Sequence, residues 1–133
     1  MASPSAVLYK MNKLFNILGD SFHIKSDSKP RQIGNSAQLA ESVLKCSQEN
    51  DFDLAELYQQ LKALDMTDFV YIIGDLAEFM HYGRFVALLA LCSVIGSRGE
   101  EQEIVKYHDW IYKACLTCDK FRDWIDRKLV LLL

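Results

Sequence analysis

Gly83-Arg84 opens a run from Phe85 to Ile95 in which Ser93 is the one clearly polar side chain. A helix that is apolar on every side has to be enclosed by protein or by lipid. This run falls well short of the roughly 20 residues that cross a bilayer, so it is expected to be the central post of a helical bundle. At its head stands Arg84, whose guanidinium stays charged and calls for a partner. The residues alone leave two kinds open: an internal partner, either a neighbouring helix C-terminus or Asp75 or Glu78, and an acid brought by another protein. Gly83 beside it lacks a Cβ, so another backbone can come close at that point.

The segments around this post are amphipathic at helical spacing. Val7, Leu8, Met11, Leu14, Phe15 and Leu18 share one face, with Pro4 suited to a first turn and Gly19 to a stop. From Asp20 to Gly34 the periodicity fails, and Ser26–Pro30 is the most loop-like stretch. Asn35 followed by Gln38 predicts a capping box for a second helix with Leu39, Val43 and Cys46 inward, ending near Glu49-Asn50. Asp53 with Glu56 predicts a third, carrying Leu54, Leu57, Tyr58, Leu61 and Leu64. Thr67 or Asp65 can cap a fourth, with Phe69, Ile72, Ile73, Leu76, Phe79 and Met80 as its stripe. Its β-branched run from Val70 to Ile73 has no nearby strand to pair with.

After the central helix, Gly96 is expected as the stop, and Ser97 with Glu100 as the capping box of a sixth helix bearing Ile104, Tyr107, His108, Ile111 and Cys115. A seventh carries Phe121, Trp124 and Ile125, with Asp123 and Arg127 spaced for an ion pair. The expectation is an all-α single domain over residues 1–133, with about seven helices around one hydrophobic helix.

Composition narrows the function. Half of the 133 residues are hydrophobic, and 15 Lys+Arg against 18 Asp+Glu leave a net charge of -3 without a basic stripe, which disfavours nucleic acid as a partner. Met1–Ser5 lacks the pattern of a signal peptide, so the protein is expected to be made in the cytosol. No stretch is long enough to span a membrane. The apolar tail Leu129–Leu133 either packs on the bundle or precedes a membrane anchor that lies beyond this sequence.

Cys115 and Cys118 match C-x-x-C, but Cys46 and Cys92 are scattered, His108 is the lone nearby imidazole, and a redox pair expects a βαβ setting. Free thiols without metal or cofactor are the expectation. His23, His81 and His108 are isolated, with His108 expected as a satisfied residue at the edge of the core. Asp51/Asp53 and Glu100/Glu101 stand at helix starts, where the macrodipole favours them without any catalytic role. An enzyme is disfavoured, and another helix is left as the best partner for Arg84.

At this point the chain resembles the Bcl-2 family, whose first homology region reads approximately Asn-Trp-Gly-Arg before an apolar helix. Here His81, Tyr82, Gly83 and Arg84 take those positions, followed by Phe85-Val86-Ala87. The helix order matches over nearly the whole chain. In the second homology region Trp110-Ile111 fits, while Thr117-Cys118-Asp119 replaces Gly-Trp-Asp one residue further along; Leu44–Glu49 is a degenerate echo of the third. The short chain looks like the compact homologues encoded by large DNA viruses such as iridoviruses and poxviruses.

The resemblance implies a Bcl-2-like bundle that inhibits apoptosis in the host-cell cytoplasm, including at mitochondria, by sequestering the third-homology-region helix of pro-apoptotic proteins. Bim comes first among these, with Bid, Bak, Bax and Puma also in the set. It implies that Arg84 meets the ligand's Asp, that Gly83 permits close approach, and that His81 and Tyr82 flank the ligand. Phe52, Leu57, Tyr58, Leu61, Tyr71, Val86 and Ala87 are the expected groove lining, with plain core as the alternative for each. Two other readings stay open: an adaptor of the same fold that blocks host immune signalling through an outer face, and a homodimer that uses the same helices.

Overall fold

In the computed structural model, residues 4–24, 33 and 36–132 are described. Among them are seven α-helices and no strand: α1 Pro4–Phe22, α2 Ala37–Glu49, α3 Asp51–Lys62, α4 Met66–Ala77, α5 Tyr82–Arg98, α6 Glu101–Thr117 and α7 Asp119–Leu132. A lone bridge joins Ile33 to Ser36. The expected loop at 26–30 and the Asn35 cap lie outside the described residues, as do the side chains of Val7, Leu8, Met11 and Leu129–Leu133.

The apolar run is buried on all sides: Phe85, Val86 and every residue from Leu88 to Ile95 are removed from solvent. Helices α1, α2, α3 and α6 pack on α5, α4 packs on α6, and α7 follows α6. At the head of α5, Phe85 meets Trp124 of α7 with ring centroids 5.4 Å apart. On the far side, Phe69 of α4 stacks on Tyr107 and meets Trp110 edge-on. The β-branched run in α4 is therefore helical, because Phe69, Ile73 and Ala77 gain more by burial than a lone strand could.

Several helix ends differ from expectation. Gly19 does not stop α1, and Gly96 does not stop α5. A Cβ on Gly96 would lie 1.5 Å from the carbonyl oxygen of Phe22, so this glycine is where α1 crosses α5. The helix runs on to Arg98 and closes at Gly99, whose N–H donates to the Ile95 carbonyl at 2.7 Å. Ser97 is thus helical and spends its hydroxyl on the Val94 carbonyl, and α6 begins from Glu100 without a side-chain cap.

Helix α3 starts at Asp51 rather than being capped by Asp53. Both acids sit in its first turn, and Asp51 pairs at 2.7 Å with Arg98 at the end of α5, so each charge faces the helix pole that favours it. Ser36 caps α2 through the Leu39 N–H, and Asp65, not Thr67, caps α4. Asp123 and Arg127 meet through the backbone: Arg127 Nε donates to the Asp123 carbonyl at 3.2 Å. His108 is satisfied at the core edge, with Nε2 2.9 Å from the Phe15 carbonyl oxygen and its ring stacked on Phe15. Among the described residues no helix is long and apolar enough to cross a membrane.

Candidate functional site

Helices α3, α4 and α5 do not close completely on one another. Leu54 and Leu57 from α3, Ile73, Leu76 and Ala77 from α4, Met80 just beyond it, and Ala87, Leu88 and Leu91 from α5 line an apolar cavity of about 120 Å³. Arg84 lines the same cavity, one turn before Ala87. On α5 the lining positions 84, 87, 88 and 91 follow the i, i+3, i+4, i+7 stripe. The opposite faces of this helix are spent on the core.

Of the lining side chains Leu76 remains 42 % exposed, whereas exposed Phe79 lies under the Lys120 ammonium, which lines a different cleft. An apolar cavity of about 150 Å³ holds a benzene-sized group, so this one accepts about one aliphatic side chain. A longer apolar stripe would lie across the exposed rim.

Arg84 is exposed, and its Nη1 donates to the Leu76 carbonyl at 3.2 Å. That carbonyl belongs to the last turn of α4, where backbone acceptors lack intrahelical donors. The internal partner is therefore a helix C-terminus and not a carboxylate: Glu78 pairs with Lys120 at 3.2 Å, and no ion pair among the described residues joins Arg84 to an acid. With one of its donors used, the guanidinium keeps others for an incoming group.

Of the residues expected from sequence, Arg84, Leu57 and Ala87 come together in the cavity wall, while Tyr82 and Gly83 precede Arg84 in the first turn of α5. Tyr58, Leu61 and Val86 are buried and are not among the side chains that line this cavity. The Tyr58 hydroxyl donates to Glu103 Oε2 of α6 at 2.6 Å. Burial first, then this bond to an acid, pushes its ionisation far above the ordinary tyrosine range. The same bond holds the Glu103 carboxyl below its usual range.

Phe52 is exposed outside the cavity wall, and Tyr71 lies on the other side of α4. Tyr71 lines a second, open cleft of about 650 Å³ with Asp75, Glu78, Cys118 and Lys120. Leu54, Ile73, Leu76 and Met80 were expected as apolar stripe and Leu88 and Leu91 as part of the central run, none of them as groove lining, and helical spacing alone does not say which stripe positions face a cavity.

The C-x-x-C pair has no disulfide, and burial pushes the Cys115 and Cys92 thiols well up, away from the thiolate that reacts or binds metal. Among the described residues no three His, Cys, Asp or Glu side chains stand close enough to hold a metal ion. Comparison with known proteins adds no relative, since no family model, curated protein or solved structure matches this chain.

Proposed function

We propose that this protein is a receptor for an amphipathic, acid-bearing helix, and specifically a Bcl-2-like inhibitor of apoptosis that sequesters the third-homology-region helix of pro-apoptotic proteins such as Bim. The observation that carries the proposal is the apolar cavity between α3, α4 and α5 with an exposed Arg84 in its wall that pairs with no acid among the described residues. A helix whose apolar stripe fills the cavity and rim, and whose acid meets Arg84, satisfies both features at once. Capture of this kind is stoichiometric.

Titration calorimetry with ligand peptides from Bim, Bid, Bak, Bax and Puma is the direct test, and one-to-one binding of at least one is expected. Arg84→Ala should then weaken the complex by about 2 to 5 kcal/mol, because the ligand's acid would be desolvated without a partner. Absence of binding across the panel at concentrations on the order of tens of micromolar refutes the proposal.

A second reading has its own observation in the cleft on the far side of α4, with Tyr71 75 % exposed. An adaptor that blocks host signalling through an outer face would use that surface. In cells given an apoptotic stimulus, protection lost with Arg84→Ala and kept with Tyr71→Glu supports the cavity; the reverse pattern supports the outer face.

A further inference from the structure

Residue 81 is the N-cap of α5, with extended backbone (φ -145, ψ 173). Ser, Thr, Asp and Asn are the usual side chains there, because each offers an oxygen to the free N–H groups of the first turn. Here an imidazole does the same work: His81 Nδ1 accepts from the Arg84 N–H at 3.3 Å. A ring nitrogen accepts only when unprotonated, so the neutral ring carries its proton on Nε2.

The ring lies against Gly83. A Cβ at that position would sit 3.3 Å from His81 Cε1 and 3.4 Å from Nδ1, closer than a comfortable contact. Gly83 thus makes room for the neighbouring imidazole. Arg84 is consequently held at two points, its N–H by His81 and its guanidinium by the Leu76 carbonyl. Leu76 and Arg84 both line the cavity.

We infer that His81 is a positioning residue for Arg84: its neutral imidazole closes the first turn of α5 over the bare Gly83 and so sets the guanidinium at the mouth of the cavity. This assignment rests on the helix-receptor reading. A side chain that caps equally well should replace His81, and one that cannot cap should cost affinity only where the ligand brings an acid to Arg84.

The experiment titrates the wild-type chain, His81→Ala and His81→Asn with the Bim peptide and with a copy whose conserved Asp is replaced by Ala, and follows amide hydrogen exchange at Arg84 in the free proteins. His81→Ala should weaken the acid-bearing peptide roughly fivefold, the equivalent of one lost N-cap. It should leave the acid-free peptide within about twofold and speed exchange of the Arg84 N–H. His81→Asn should restore both. Equal weakening of the two peptides, or no rescue by Asn, overturns the assignment, because a merely structural role would behave so. If the wild type binds neither peptide, the helix-receptor reading falls instead. The exchange comparison needs no ligand, and unchanged Arg84 exchange in His81→Ala overturns the His81 assignment on its own.

Discussion

Ala87→Leu should move stability and binding in opposite directions. Ala87 lines the cavity half-buried, so a leucine there grows directly into the apolar space. An empty cavity costs about 24 cal/mol per Å³, so 120 Å³ corresponds to about 3 kcal/mol if it were sealed. Three added carbons fill roughly half of it, and the open side lets water share the rest, leaving a gain of about 1 kcal/mol. For a chain of this size that raises the melting temperature by about 3 to 5 °C.

The same leucine occupies the place of the ligand's anchoring side chain. Excluding one buried aliphatic group costs about 1.5 to 3 kcal/mol, or roughly 10- to 150-fold in affinity for the Bim peptide. Differential scanning calorimetry and peptide titration on the same preparation check both signs. Undiminished binding with raised stability would show that the ligand does not use the cavity. A loss of stability above about 1 kcal/mol would show that the space does not accept a leucine.

Two further substitutions probe the packing that holds the site. Tyr58→Phe removes the hydrogen bond to Glu103 and should destabilise the fold by about 1.5 kcal/mol, the lower end for a charged acceptor because Glu103 is partly in water. Since the bond depresses the Glu103 ionisation, its stabilisation is present above the ordinary carboxylate range and is lost as pH falls through the depressed value. The gap between wild type and Tyr58→Phe in urea melts should therefore shrink on acidification below about pH 4, and a gap that stays constant contradicts this. Gly96→Ala places a methyl against the Phe22 carbonyl and should cost about 3 kcal/mol or more, since backbone and not a flexible side chain must move. A loss below about 0.5 kcal/mol in the same melts would mean that α1 shifts freely.

The all-α architecture was legible in the sequence, because hydrophobic periodicity reports which face of a segment leaves water, and the run from Phe85 to Ile95 leaves water on every face. That Arg84 needs a partner was legible for the complementary reason: a fixed charge beside such a run cannot be left without one. What the sequence could not decide is which apolar positions are core and which line a cavity. Leu57 and Tyr58 are adjacent, yet one faces the opening and the other is buried against Glu103, a difference made by the rotation of α3 on α5 and α6. Glycines were ambiguous for a related reason. Gly96 has the local chemistry of a helix stop, but crossing α1 makes it an interior contact. The partner of Arg84 was likewise a tertiary matter, because the carbonyl it meets is eight residues back on another helix, and only packing brings that helix end within 3.2 Å.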